Sequence, residues 1–181
     1  MRLPALKHLA EAVRALAHSE RIRVLGSSAL LPSFPQLGEA GQPLEVSFDA
    51  DLLVEPCDEQ LAAMLHEAVG EGSLFSRRTG YHADILRQQI TETLSPGWEQ
   101  RLVPLGIAGD VAALAPVDVA VVKLRVGREK DLALCRHLLR ARLLAAESIQ
   151  QALDATPMPE REIVLVYQRW REVAGQQVER R

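Results

Sequence analysis

Two carboxylates stand one residue apart in the segment "LEVSFDADLLVEP", at Asp49 and Asp51. If this segment forms a strand, alternate side chains point to the same side, so the two carboxylates lie close together. Like charges at that distance repel each other, and a proton or a cation relieves the repulsion. Mg²⁺ is the expected partner, because it binds one or two carboxylates together with the phosphate oxygens of a substrate. Pairs of this kind also occur in loops and at helix starts, where they cap a helix or face solvent.

A glycine–serine turn at Gly26 and Ser27 precedes the pair and follows a short apolar run. Glycine lets the backbone approach a phosphate group, and serine hydroxyls and N–H groups can donate to its oxygens. A third carboxylate, Asp84, lies in the apolar segment "GYHADIL", where a strand would bring it to the pair. The alternative for Asp84 is an edge-strand or turn position. His82 would lie on the same strand face as Asp84.

A charged motif, "KLRVGREKD", runs from Lys123 to Asp131. Lys123 and Lys130 are two helical turns apart and share a helix face unless Gly127 breaks the helix. Arg128 and Asp131 are three residues apart and can form an ion pair. Taken alone, the motif favours a solvated charged face whose ion pairs contribute about 0.2–0.5 kcal/mol each.

The composition is that of a globular protein, with 48% hydrophobic and 25% charged residues in 181. A formal charge of −3 argues against tight nonspecific DNA binding, and 4% aromatic residues supply few stacking platforms for single strands. Cys57 and Cys135 form no metal-binding spacing, and a reduced cytoplasmic setting is expected. The chain contains no apolar run of the roughly 20 residues that span a bilayer, so no membrane association is expected.

Hydrophobic periodicity predicts the elements that must position these residues. In chain order they are a helix over residues 4–18, a strand ending at Gly26, a short helix capped by Ser27 and Ser28, a strand within 44–56, a helix over 58–72, strands at "GYHADIL" and after "SPGW", a helical stretch broken near Gly127, and one or two helices over 147–174. This order predicts an α/β (α+β) fold with a sheet-and-helix core over 1–115. A helical C-terminal part over 116–181 is expected to pack on that core.

Together these segments resemble the polymerase-beta-type nucleotidyltransferase superfamily. The resemblance extends over roughly Ile22 to Leu144 and is carried by "GSSAL", "SFDADL", "GEGSLF", "TGYHADIL", "LSPGWEQRL" and, most specifically, "LAPVDVAVVKLRVGREKDL". Within the superfamily the chain is most similar to bacterial nucleotidyltransferase-like proteins related to the toxins of abortive-infection toxin–antitoxin systems. The resemblance implies a mixed sheet packed by helices, with a C-terminal helical extension.

The resemblance also implies functional residues. Asp49 and Asp51 correspond to the metal-binding pair, and Asp84 to the third carboxylate, which binds metal and orients or deprotonates the attacking hydroxyl. The residues that correspond to nucleotide-binding positions are Gly26, Ser27 and Ser28 in the phosphate-binding turn, and Lys123, Arg128, Lys130 and Asp131 in the charged motif. Lys123 is expected to face the nucleotide phosphates and to act in catalysis.

The implied activity is Mg²⁺-dependent transfer of an NMP group from an NTP, with Mn²⁺ as an alternative ion. The acceptor is an RNA end, a protein hydroxyl or a small molecule. A cognate antitoxin is an expected partner if the chain belongs to a toxin–antitoxin pair. The alternative is a catalytically inactive protein of the same fold that binds a nucleotide or a partner protein.

Overall fold

The computed structural model describes residues 1–175. Within them the chain forms two compact units. The first comprises Met1–Glu92 and Glu99–Ala115, and the second comprises Thr93–Trp98 and the residues from Pro116 onward. The fold is mixed α/β, as the sequence predicts, and the described residues form one five-stranded sheet and seven α-helices, the last of them near the C-terminus.

The first unit contains the sheet and three helices. Its elements are α1 (Leu3–Ala17), β1 (Arg21–Val24), β2 (Asp49–Glu55), α2 (Glu59–Val69), α3 (Leu74–Thr79), β3 (His82–Ile85), β4 (Val103–Pro104) and β5 (Asp110–Ala113). Helix α1 buries Leu6, Leu9 and Val13 at helical spacing, as the periodicity predicts. Helix α2 begins after Asp58, as expected, because Oδ1 of this residue accepts a hydrogen bond of 2.7 Å from the N–H of Leu61.

The strands lie in the order β3-β2-β1-β5-β4. Strand β1 pairs antiparallel with β2 and parallel with β5, whereas β2 pairs parallel with β3 and β4 pairs antiparallel with β5. The sheet is therefore mixed, and the end of β1 lies at the same sheet edge as the starts of β2 and β3.

The two faces of the sheet differ in chemistry. On one face the side chains of Ile22, Val24, Ala50 and Leu52 are fully buried and, with the buried residues of α1 and α2, belong to the core of the first unit. The register assigns the charged residues to the other face, which carries Arg21, Arg23, Asp49, Asp51, Glu55, His82, Asp84 and Asp110. We call this second face the charged face.

The second unit is helical. It contains α4 (Pro116–Val126), α5 (Glu129–Arg140), α6 (Ala146–Ala155) and α7 (Glu160–Gly175). All four helices contribute to one apolar core, which includes Leu124, Cys135, Leu139, Leu153 and Trp170. Helix α4 ends before Gly127, which has a positive φ of 71° that other residues rarely adopt, so the predicted break at this glycine is confirmed.

Three elements differ from the sequence-based expectation. Strand β2 begins only at Asp49, because residues 44–47 form turns instead of an extended strand. Helix α3 was not predicted, although Ser73 caps its start and Gly80 ends it at φ +82°. Strand β5 was also missed, since "DVAA" is rich in alanine, which has a low strand propensity.

Among residues 1–175 no helix is both long enough and apolar enough to cross a lipid bilayer.

Candidate active site

The register of two neighbouring strands brings the three predicted carboxylates to one face of the sheet. In the parallel β2–β3 pair, Asp49 lies opposite His82 and Asp51 lies opposite Asp84. Directly opposed residues point to the same side, and so do alternate residues of one strand. Asp49, Asp51 and Asp84 therefore share the charged face, at the edge where β2 and β3 begin.

The glycine–serine turn lies directly beside this carboxylate group. Strand β1 ends at Val24, two residues earlier than expected, and the N–H of Leu25 donates to the carbonyl of Asp51 at 2.9 Å. A Cβ atom placed on Gly26 would lie 1.7 Å from Oδ2 of Asp51, which is far inside contact distance. Only glycine leaves room for the Asp51 carboxylate in this position.

Polar groups of the turn are available to a ligand. Ser27 begins a short 3₁₀ turn that ends at Leu30, with Gly26 as its N-cap. Within the described chain, the N–H groups of Ser27 and Ser28 donate to no acceptor. The hydroxyl of Ser28 is also buried, and it has no hydrogen-bond partner in the described part of the chain. A buried hydroxyl without a partner costs about 1–3 kcal/mol, so the position calls for an explanation.

Two further polar side chains lie at the carboxylate group. The hydroxyl of Ser47 hydrogen bonds to Oδ1 of Asp49 at 3.2 Å. Nε2 of His82 lies 3.9 Å from Oδ1 of Asp84, as their shared strand face predicts. This separation is too long for a hydrogen bond.

The residues present fit a divalent cation in type and in backbone position. Hard oxygen donors on one face, a glycine that makes room for one of them and an unpartnered buried hydroxyl nearby are features of such a site. Among residues 1–175, however, no three His, Cys, Asp or Glu side chains are grouped so as to hold a metal ion.

The predicted basic residues all lie in the second unit. Lys123, on α4, is buried, and its Nζ lies 3.2 Å from Oδ1 of Asp131 on α5. Nε of Arg128 donates to Oδ2 of Asp131 at 2.6 Å, so the predicted pair at this spacing is confirmed. Lys130 is exposed, and the break at Gly127 puts it on a different helix from Lys123.

The carboxylate of Asp131 is held in its charged form. Burial alone would raise its pKa, but the hydrogen bond from Arg128 and the charge of Lys123 outweigh burial and lower the pKa below its usual value. Both carboxylate oxygens thus have cationic partners inside the second unit. The ammonium of Lys123 therefore already has an anionic partner, the carboxylate of Asp131. That Lys123 faces nucleotide phosphates stays a prediction.

The cysteines offer no nucleophile of lowered pKa. Cys135 is fully buried in the core of the second unit, and burial raises the pKa of its thiol to about 12. Cys57 is only partly buried, yet burial raises the pKa of its thiol as well. A thiol in its neutral form at physiological pH is a poor nucleophile.

The chain was compared with protein families and with individual proteins. No family model, no curated protein and no solved structure matches it.

Proposed function

We propose that this protein transfers an NMP group from an NTP to an acceptor hydroxyl, with Mg²⁺ held at the carboxylate group of the charged face. One observation carries the proposal. The β2–β3 register and the contact between Gly26 and Asp51 place three carboxylates and a glycine–serine turn at one edge of one sheet face. Nucleotidyl transfer needs these two parts together, because the phosphates require donors and the metal requires carboxylate oxygens.

Each residue of the group has a role in this scheme. Asp49 and Asp51 would hold the metal, which, when bound, neutralises phosphate charge and makes the α-phosphorus more electrophilic. The N–H groups of Ser27 and Ser28 would donate to phosphate oxygens. Asp84 would accept the proton of the acceptor hydroxyl. In the same step the hydroxyl oxygen of the acceptor would bond to the α-phosphorus, and the bond from the α-phosphorus to pyrophosphate would break.

The predicted phosphate contact of Lys123 is a part of the proposal that depends on the ion pairs of Lys123 within its own unit. Lys123 and Arg128 are both tied to Asp131, so Lys123 would contact a nucleotide phosphate only by sharing or exchanging that partner. Lys130 is exposed and carries no such constraint. The acceptor is an RNA end, a protein hydroxyl or a small molecule, and a role in a toxin–antitoxin pair is part of the proposal.

The direct test is incubation of the protein with labelled ATP, CTP, GTP or UTP, Mg²⁺ and either total RNA or cell lysate. Transfer of label that requires Mg²⁺ supports the proposal and identifies the acceptor class. Asp51→Asn and Asp84→Asn are expected to abolish labelling, whereas Asp58→Asn is the matched control, since asparagine caps a helix about as well as aspartate. Labelling that survives both site variants would contradict the proposal.

A second function has an observation in its favour. In the described part of the chain no three side chains are grouped to hold an ion, and Lys123 is engaged by Asp131. These features suit a protein of the same fold that binds a nucleotide or a partner protein without turnover. Saturable NTP binding in a thermal-shift assay, together with no labelled product for any acceptor fraction, would favour this second function.

A further inference from the structure

We propose that the hydroxyl of Tyr81 is an acceptor of the NMP group and that His8 is the base that takes its proton. The inference rests on the proposed function and names one acceptor among the protein hydroxyls. Nδ1 of His8, on α1, lies 2.6 Å from the hydroxyl oxygen of Tyr81, the residue directly before β3. This is a hydrogen-bonding distance. In the tautomer that carries its proton on Nε2, His8 accepts the hydrogen bond of the phenol at Nδ1.

The imidazole of His8 is held in place by Phe75 of α3. The two rings are stacked, with centroids 5.5 Å apart and planes inclined by 27°. The ring of Phe75 also meets the ring of Tyr81 edge-on, at a centroid distance of 5.7 Å. A base that is oriented by a third group and lies within hydrogen-bonding reach of a hydroxyl is the arrangement that activates oxygen nucleophiles.

The pair is accessible to a reagent in solution. His8 is exposed, and Tyr81 is only partly buried. This partial burial still raises the pKa of the Tyr81 hydroxyl. The phenol is therefore neutral at physiological pH, and it needs a base beside it to act as a nucleophile.

The other tyrosine of the chain, Tyr167, provides an internal comparison. Its hydroxyl donates to the carboxylate of Asp154, and this hydrogen bond raises the pKa of Tyr167 to about 12. A carboxylate is a weaker base than an imidazole, so it removes a phenolic proton less readily. We therefore expect Tyr81 to be the more reactive of the two tyrosines.

The transfer step balances without a further reactant. The phenolic oxygen of Tyr81 bonds to the α-phosphorus of the NTP, and pyrophosphate leaves with the electron pair of the broken bond. The phenolic proton passes to Nδ1 of His8. The Tyr81 hydroxyl contacts α1, which belongs to the core on the face of the sheet opposite the charged face. The NTP is therefore held by a second copy of the chain, and transfer takes place between two molecules.

The first test incubates the full-length protein with labelled ATP, CTP, GTP or UTP and Mg²⁺, alone and with cell lysate. Peptide mass spectrometry then locates the NMP group, which is expected on Tyr81. His8→Gln should slow this labelling about 100-fold, the lower range for loss of a general base. Tyr167→Phe and His66→Gln are the matched controls, because His66 is an exposed histidine of α2, and both should label as the wild type does.

Two further measurements separate donor, acceptor and base. A mixture of Asp51→Asn and Tyr81→Phe should gain label on Tyr81 of the Asp51→Asn chain, although neither variant is labelled there alone. An aryl sulfonyl fluoride, which modifies phenols without nucleotide or metal, should react with Tyr81 at least about tenfold faster than with Tyr167. His8→Gln should remove this difference.

The outcomes distinguish the acceptor from the activity. Label on RNA or another protein, with none on Tyr81 in either preparation, would overturn the inference and leave the proposed function standing. Equal reaction of Tyr81 and Tyr167 with the sulfonyl fluoride would overturn the role of His8. If Tyr81 is labelled only in lysate and equally in Asp51→Asn, another transferase supplies the NMP group. Tyr81 is then still an acceptor, but the proposed function is wrong.

Discussion

At the scale of single residues, sterics rather than backbone conformation make Gly26 necessary. Its φ of −79° is accessible to any residue, but an added Cβ would lie 1.7 Å from Oδ2 of Asp51. We expect Gly26→Ala to displace that carboxylate and to weaken Mg²⁺ binding about tenfold or more. The overpacking should reduce the free energy of unfolding by about 1–3 kcal/mol, measured by urea denaturation.

Gly175→Ala is the control for this substitution, since no atom of the described residues lies within 4 Å of a Cβ at that position. It should leave metal binding unchanged and should not lower stability, because alanine favours a helix more than glycine does. Normal metal binding by Gly26→Ala would mean that the turn is structural only, and that the close approach to Asp51 has no functional consequence.

Asp131 is a buried carboxylate that pairs with two cations of the second unit. Asp131→Asn would leave buried Lys123 without its anionic partner, and loss of one member of a buried pair costs about 3–5 kcal/mol. Because the folded-state pKa of Asp131 is lowered, its carboxylate contributes fully above about pH 4 and the contribution is lost as the pH falls through the lower folded-state value. The stability difference from wild type should therefore be large at pH 7 and shrink in acid.

Urea unfolding of wild type and Asp131→Asn at pH 7 and pH 3 measures this difference, with exposed Asp58→Asn as the control. A Lys123→Met, Asp131→Leu double variant should recover much of the stability, because replacing both partners of a buried pair removes the unpaired charge. Equal stability of Asp131→Asn and wild type at pH 7 would contradict this account of the ion pair.

At the residue scale the sequence predicted the carboxylate group better than its surroundings. The spacing of Asp49 and Asp51 predicts a shared strand face, because strand periodicity is local. The pairing of Lys123 with Asp131 was not anticipated. It depends on the turn at Gly127, which brings α5 back beside α4, and sequence spacing does not give that geometry.

At the scale of elements, the N-cap of α2 is a local feature that can be tested alone. The carboxylate of Asp58 accepts a hydrogen bond of 2.7 Å from the N–H of Leu61. Asp58→Ala should lower the free energy of unfolding by about 1 kcal/mol, while Asp58→Asn should change it little. Chemical denaturation followed by far-UV circular dichroism measures both. Equal effects of the two substitutions would show that the cap contributes nothing measurable.

Elements with local signals were the ones that the sequence predicted. Amphipathic periodicity marks α1, and the cap at Asp58 marks the start of α2. The glycine at 127 marks the break between α4 and α5. The strand order could not be predicted, since the pairing of β1 with β5 joins residues far apart in sequence. Strand β5 also depends on contacts that are distant in sequence. Its pairing with β1 and β4 stabilises it, because its own alanine-rich composition does not favour a strand.

At the scale of the whole molecule, the chain passes between the two units more than once. Residues Thr93–Trp98 belong to the second unit, although the segments before and after them belong to the first. No composition shift marks this short segment, so the sequence predicted one boundary at residue 115 and no excursion. The segment is tied to the second unit by a hydrogen bond of 2.8 Å between the buried hydroxyls of Ser95 and Thr156.

The link between Ser95 and Thr156 gives a prediction for the stability of the second unit. Thr156→Val keeps the shape of the side chain but removes its hydroxyl, which also bonds to the carbonyl of Ala152 at 2.6 Å. The Ser95 hydroxyl would remain buried without this partner, at a cost of about 1–3 kcal/mol. Both tryptophans, Trp98 and Trp170, belong to the second unit, so their fluorescence during urea unfolding reports on this unit directly.

The matched control is Thr91→Val in the first unit, where the hydroxyl bonds to the carbonyl of Gln88 at 2.9 Å in an exposed position. An exposed hydrogen bond is replaced by water at little cost, so this variant should leave the fluorescence transition unchanged. If Thr156→Val lowers the urea concentration at the midpoint of the transition and Thr91→Val does not, the segment 93–98 is an integral part of the second unit. Equal transitions for the two variants would show that the buried hydroxyl pair does not hold the segment in place.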